Sequence, residues 1–267
     1  LRGAALARMT SESRHYLDGA GYDRWTARWS EQLARDLVPW LGVRRDARWL
    51  DVGCGTGALT DAIMDLAWPG AVTGIDPSEG FLEVARKKVP GATFDVGEAA
   101  ALPYPDQSLD AVTSSLVIAY LPDPAAAVRE LVRVTVSGGV VGLLVWDAGL
   151  AVGHHYHQAA KAAGVPEVER AFPSYEMESE AGLSQALAGA GLRDVQVRRL
   201  SARVSFEGFD DFWSSMLARK GRATEHLESL PAAQQATVRE SLRSLVEPKP
   251  GAKVVVEAVA WAGKGRR

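Results

Sequence analysis

The chain has 267 residues, 47% of them apolar and 24% charged, with a formal net charge of −3 and one cysteine. That length and apolar content are enough for a large buried core and exclude a disordered chain. The slightly negative balance, with no dense Lys/Arg block before Lys264-Gly265-Arg266-Arg267, argues against a nucleic-acid or anionic-membrane partner. The lone Cys54 excludes an intrachain disulfide and a cysteine-built zinc site.

No apolar run approaches the roughly 20 residues that a membrane-spanning helix needs. Leu1 to Met9 lack the apolar core of a secretion signal, and Met9 is a candidate native start. The expected location is the cytoplasm.

Tyr22–Leu41 reads as a helix, with Trp25, Trp29, Leu33, Leu37 and Leu41 recurring every fourth residue along one stripe. Arg48–Val52 reads as a strand that runs into the glycine loop Gly53–Gly57, and Ala58–Leu66 returns to helical spacing. Ala71–Ile75 is the next strand, Ser78–Lys88 a helix, Pro90-Gly91 a turn and Ala92–Val96 a third strand. Ala111–Ile118 has the near-continuous apolar character of a buried parallel strand. Asp123-Pro124 spells a helix start; that helix runs to about Val134, with Ser137-Gly138-Gly139 as its stop and Val140–Trp146 as a fifth strand.

Beyond this alternation the pattern loosens. Gly153–Ala163 and Ser179–Ala190 read as helices, with Gly191 placed to end the second. Val195–Val204 reads as a strand, Phe209–Ala218 and Ala232–Leu245 as helices, and Lys253–Trp261 as a last strand. Strands alternating with helices imply right-handed crossovers and an α/β, doubly wound, mostly parallel sheet. No linker-like stretch divides the chain, so a single domain with insertions is expected. Residues 22–146 would be its ligand-binding half, and 147–180 and 206–250 substrate-side cap segments.

The strand-loop-helix Asp51-Val52-Gly53-Cys54-Gly55-Thr56-Gly57 lets backbone approach a nucleotide-like ligand closely. Gly53-x-Gly55-x-x-Ala58 with Asp76 downstream also satisfies the relaxed dinucleotide pattern, so a nicotinamide-dependent reductase stands as a competing reading. The third glycine, Gly57, and the acid at Asp51 point elsewhere. Asp51-x-Gly53-x-Gly55-x-Gly57 resembles the first motif of class I S-adenosylmethionine-dependent methyltransferases. Gly97-Glu98-Ala99, Leu102-Pro103-Tyr104-Pro105-Asp106, Leu109-Asp110-Ala111-Val112 and Tyr120-Leu121-Pro122-Asp123-Pro124 extend it. Together these resemble the ubiquinone/menaquinone-biosynthesis-type methyltransferase domain over about residues 22–146.

The resemblance implies a Rossmann-like fold whose last strand runs antiparallel, S-adenosylmethionine as cofactor, and a small organic acceptor methylated on oxygen, nitrogen or carbon. It places Asp76 on the ribose hydroxyls with Pro77 beside it, and Glu98 on the adenine amino group with Gly97 and Ala99 flanking the ring. Asp51 would orient the loop and receive the cofactor's amino group, Gly53, Cys54, Gly55 and Gly57 would form the loop wall, and Ser115 would meet the methionine part through its backbone. A further reading of Asp76-Pro77-Ser78-Glu79 is a plain helix cap. In related enzymes an N-terminal helix closes over the cofactor, which makes Tyr22 and Arg28 candidates for its carboxylate. A tryptophan stripe at helical spacing also describes simple core.

His154-His155-x-His157 follows the fifth strand, where the mouth of an open α/β sheet lies. His154 and His155 are therefore candidate general bases, and the same residues also fit a surface helix start. No metal-ligand spacing surrounds them, so no metal is expected. Tyr156, Phe172, Tyr175, Phe209, Phe212, Trp213 and Met216 would give the cap an aromatic acceptor pocket or pack it on the sheet. A protein of the same fold that binds the cofactor without methylating is the third reading, and the oligomeric state is open.

Overall fold

In a computed structural model, residues 27–148, 153–166, 176–218 and 222–267 are described. The chain runs α1 (Ala27–Leu41), β1 (Arg48–Val52), α2 (Ala58–Leu66), β2 (Ala71–Asp76), α3 (Glu79–Lys88), β3 (Thr93–Val96) and β4 (Leu109–Ser115). After a 3₁₀ turn at Ile118–Tyr120 come α4 (Pro124–Val134), β5 (Thr135–Trp146), α5 (His154–Ala162), α6 (Glu180–Gly189) and β6 (Arg193–Phe206). The last elements are α7 (Phe209–Ala218), α8 (Arg222–Ser229), α9 (Ala232–Val246) and β7 (Val254–Arg266).

Local chemistry sets most of these boundaries. Ser78 caps α3, its hydroxyl accepting from Phe81 N, and Asp123 caps α4 by accepting from Ala126 N at 2.8 Å, with Pro124 in the first turn. Ser179 caps α6 in the same manner, and Gly191, at φ 86°, follows its end. The tryptophan stripe is core where it is described: Trp29, Leu33, Leu37 and Leu41 are buried.

The seven strands form one sheet in the order β3-β2-β1-β4-β5-β7-β6. β1 pairs in parallel with β2 and β4, β2 with β3, and β4 with β5, whereas β7 runs antiparallel to β5. The expected Rossmann-like sheet with a reversed last strand is what forms. On one face Leu50, Val52, Val112, Val141, Leu143 and Val145 pack with Val128 and Leu131 of α4 and Leu183 and Leu187 of α6. No helix among the described residues is long and apolar enough to cross a membrane.

Three sequence expectations are corrected. The fourth strand ends at Ser115 rather than Ile118, because Leu116 turns to φ 61° while its N–H still bonds Leu144 O. The Ser137-Gly138-Gly139 segment does not stop α4; β5 already begins at Thr135, paired with Leu109. The last strand continues past Trp261 to Arg266, so the basic tail is sheet: Lys264 and Arg266 pair with Gly142 and Val140. A helix at Arg222–Ser229 was not expected.

The described residues divide into two compact units. The larger comprises the described parts of 29–151, 170–203 and 257–267, and the smaller those of 1–28, 152–169 and 204–256. In the smaller unit α5 packs against α9, and Phe206, Phe209 and Phe212 are buried. The rings of Phe206 and Phe212 meet edge to face at 5.2 Å.

Candidate functional site

The carboxyl ends of β3, β2, β1 and β4 bring the loop residues of the larger unit together. The chain leaves β1 toward β2 and β3, then returns to β4 on the other side of β1, which is the switch point where open α/β sheets bind ligands. Gly53, Gly55 and Gly57 have φ of 70°, 54° and 86°, so the loop coils through left-handed conformations before α2.

This coil turns its amides inward. Gly53 N and Cys54 N both donate to Ile75 O, at 2.7 and 3.1 Å, Gly55 N donates to Asp76 Oδ2 at 3.0 Å, and Gly57 N to Cys54 O at 2.9 Å. The start of α2 is occupied as well. Asp51, fully buried, accepts from Thr60 Oγ1 at 2.7 Å, and the Thr60 backbone N–H adds to the same carboxylate. A helix N-terminus is ordinarily an anion site; here a carboxylate of the chain itself sits there.

Asp51 Oδ1 is buried with no hydrogen-bond partner. Burial, with Asp76 nearby, raises the Asp51 pKa to about 7. Asp76 is also buried; its Oδ1 accepts from Ser78 N at 2.9 Å and its Oδ2 from Gly55 N. Ser78, not Asp76, is the α3 cap, so the plain-cap reading of Asp76 gives way to a bracket between two loops. Burial raises its pKa as well, with the exposed Glu98 carboxylate adding to the effect. The loop is thus ringed by acids.

The remaining loop positions follow. Gly97 N bonds Asp76 O at 3.3 Å, and a Cβ at Gly97 would come within 2.7 Å of Ile75 Cδ1, so this backbone passes tightly over β2. Ala99 is buried and Pro77 exposed. Ser115, half-buried, ends β4 opposite Leu144. Cys54 is buried, and burial beside Asp51 and Asp76 pushes its thiol well above the ordinary range, which leaves it unreactive.

Several motif residues turn out to hold architecture. Asp110 receives Arg44 at 3.0 Å and both the backbone and side chain of Arg48 at 2.9 Å, tying β4 to β1; these contacts hold its pKa down at about 2. Arg133 reaches Leu102 O, Tyr104 O, Asp106 and Glu130 at 2.6 to 2.9 Å, and Glu130 accepts from Leu102 N. Sequence reasoning missed Arg133, for it lies outside every motif. Arg133→Ala should destabilise the chain by about 1–3 kcal/mol, since it strands several acceptors at once. Arg133→Lys should rescue little, because one ammonium cannot span that fan. Thermal unfolding of the two variants checks both statements.

The other candidates fall in the smaller unit or outside the described residues. Tyr22 lies outside them. Arg28 donates to Ser205 O at 2.8 Å and its guanidinium stands 4.5 Å over the Phe206 ring. His154 and His155 open α5 with ring centroids 6.3 Å apart. His155 Nδ1 is buried without a partner, and burial, then His154, lowers its pKa. Among the described residues no cluster of His, Cys, Asp and Glu could hold a metal ion.

Comparison with known proteins finds similarity over part of the chain. Residues 50–143 match the methyltransferase domain family. Over 117 residues the chain is 38% identical to the demethylmenaquinone methyltransferase of Staphylococcus aureus, a match that takes in 42% of this chain and 47% of that one. The chain thus spans under half the length of the curated relative it matches. In fold it is similar to a methyltransferase candidate of Bacillus halodurans, with TM-score 0.57 and 20% identity over 87% of this chain and 97% of that one. It is also similar to a Haemonchus contortus phosphoethanolamine N-methyltransferase solved with S-adenosyl-L-methionine (TM-score 0.53, 16% identity, 88% of this chain and 52% of that one).

Proposed function

We propose, for a chain whose residues 50–143 match the methyltransferase domain family, S-adenosylmethionine-dependent methyl transfer to a small organic acceptor. The observation that carries the choice of cofactor is the inward-turned loop. A dinucleotide needs free amides and a helix N-terminus for its pyrophosphate. Here the amides of Gly53, Cys54, Gly55 and Gly57 are engaged within the chain, and Asp51 occupies the helix N-terminus. An acidic ring suits a ligand with a sulfonium and an ammonium, and repels a pyrophosphate.

The residues fit such a ligand. The unpartnered Asp51 Oδ1 is an acceptor for an ammonium, Asp76 for two ribose hydroxyls with Pro77 beside it, and Glu98 for an adenine amino group between Gly97 and Ala99. Gly53, Cys54, Gly55 and Gly57 form the wall, and Ser115 offers backbone to the methionine part. When bound, the cofactor supplies an electrophilic methyl group on its sulfonium. The chain's own contribution is to hold the acceptor in line, which in ideal models supplies on the order of 7–11 kcal/mol of the barrier. Segments 147–180 and 206–250 would take the acceptor. Of the two histidine candidates for its base, His155 has a buried ring nitrogen, Nδ1, that no group of the chain answers, and burial lowers its pKa.

Calorimetric titration with S-adenosylmethionine and with a nicotinamide dinucleotide tests the reading. Only the first should bind, and methyl-labelled cofactor with phenols, amines and quinol precursors then identifies the acceptor class. Dinucleotide binding without S-adenosylmethionine binding would overturn it. A pH dependence follows with a definite sign. The Asp51 pKa is raised from 3.8 to about 7 in the free chain, so below that pH the carboxyl is largely protonated. An incoming ammonium favours the charged form and expels the proton. Affinity should therefore weaken as pH falls below about 7, and heats measured at pH ~6 should vary with the ionisation enthalpy of the buffer. Asp51→Asn should abolish that variation.

A further inference from the structure

The smaller unit holds a side-chain pair that no sequence motif marks. Tyr156, on α5, is buried, and its hydroxyl lies 2.7 Å from Nδ1 of His226, on α8. The rings meet nearly at right angles, 85°, with centroids 5.9 Å apart. His226 Nε2 is itself buried and has no hydrogen-bond partner.

Counting donors fixes the tautomer. If the Tyr156 hydroxyl donates to Nδ1, the ring proton sits on Nε2 and a single donor is left over. If Nδ1–H donates instead, the phenol hydrogen and the Nε2 lone pair are both left over. Doubly protonated imidazole leaves the phenol hydrogen and Nε2–H unmatched. Buried polar groups are satisfied as far as geometry allows, so the first arrangement is favoured. Burial of Tyr156, which moves its pKa up to about 12, keeps its donor proton in place at neutral pH. The result is an imidazole held by a tyrosine and offering one buried N–H.

We propose that His226, oriented by Tyr156, is the polar anchor of an acceptor-binding site in the smaller unit, and that its Nε2–H donates to the oxygen of a phenol or quinol. This rests on the methyl-transfer reading only in calling that ligand the acceptor. The donor selects for an oxygen with a free lone pair. An ammonium offers none and is disfavoured there. Tyr156 is a positioning residue: it fixes which imidazole nitrogen carries the proton and where the ring points.

The test has two independent readouts on the whole chain. In ¹⁵N-histidine spectra His226 should show the Nε2–H tautomer, and adding phenol, catechol or hydroquinone should shift its Nε2 resonance in at least one case. Tyr156→Phe should mix the tautomers. In methyl-transfer assays His226→Ala should raise KM for the responding phenol at least tenfold with the dissociation constant of S-adenosylmethionine unchanged within twofold. His226→Gln, which keeps an N–H close to the Nε2 position, should recover part of that loss, and Tyr156→Phe should fall between. An Nδ1–H tautomer, a resonance that none of the three phenols moves, or an unchanged KM in a folded His226→Ala variant would overturn the proposal. Absence of S-adenosylmethionine binding to the unsubstituted chain would defeat the methyl-transfer reading instead, and the spectra would still decide the fate of the His226 site.

Discussion

Replacing Gly53 by alanine is expected to lower folding stability by about 2–5 kcal/mol, two penalties acting together. The residue sits at φ 70°, a region that costs an L residue roughly 1–2 kcal/mol. Its new Cβ would also lie 2.8 Å from both Cγ atoms of Val117 and 3.0 Å from its Cβ. Such overpacking typically adds about 1–3 kcal/mol, and Val117 follows the left-handed Leu116, so the neighbour has little freedom to retreat. The thermal midpoint should drop by roughly 5–20 °C for a chain of this size. Gly55→Ala is the informative contrast. It shares the left-handed strain, φ 54°, but its Cβ would enter open space with nothing within 4 Å. It should cost only about 1–2 kcal/mol of stability. If that space belongs to the cofactor, Gly55→Ala should lose cofactor binding out of proportion to its stability loss. Equal melting temperatures for the two variants would mean that Val117 yields freely and the packing argument fails.

Asp76→Ala should weaken S-adenosylmethionine binding by about 1–3 kcal/mol, roughly 5- to 150-fold in the dissociation constant. Two effects contribute. The carboxylate brackets Gly55 N and Ser78 N, so its loss loosens the β1–α2 and β2–α3 loops at once. In the proposed complex it also accepts from the ribose. Asp76→Asn separates them, because one amide oxygen can keep one of the two backbone bonds but no longer answers two hydroxyls as a carboxylate does. Calorimetry on both variants, with thermal unfolding alongside, apportions the loss. Unchanged affinity in a folded Asp76→Ala chain would reduce Asp76 to a loop bracket alone.

Where a signal is local, the sequence was legible. α2 occupies Ala58–Leu66 and β1 Arg48–Val52, as periodicity and the flanking glycines predict, and the caps at Asp123 and Ser179 are spelled within three residues. Legibility failed where distant partners decide. Nothing in Gly263-Lys264-Gly265-Arg266 favours a strand, yet β7 extends through it because β5 supplies the hydrogen bonds. Side chains of α6 and the loop after it also press on those glycines. A Cβ at Gly263 would lie 2.7 Å from Leu187 Cδ1, and one at Gly265 would lie 2.8 Å from Leu192 Cβ. Likewise Thr135 starts a strand against local helix-stop chemistry, since Leu109 pairs with it.

The amino-acid order by itself determined the alternation of strands and helices and the position of the loop Asp51–Gly57, while Asp76, Glu98 and Ser115 were singled out by the family resemblance. The alternation and the loop follow from residue period, caps and glycine spacing, all of which act within a few positions. Only the tertiary structure decided which way the loop amides face. Gly53 and Cys54 find Ile75 O, and Gly55 finds Asp76, partners more than 20 residues away that β1–β2 pairing brings alongside. The unanswered Asp51 oxygen and the Tyr156–His226 pair, 70 residues apart in the chain, have the same origin. Hydrogen-bond satisfaction is a property of the packed molecule, so donors and acceptors that remain unmatched become visible only after every long-range contact has been made.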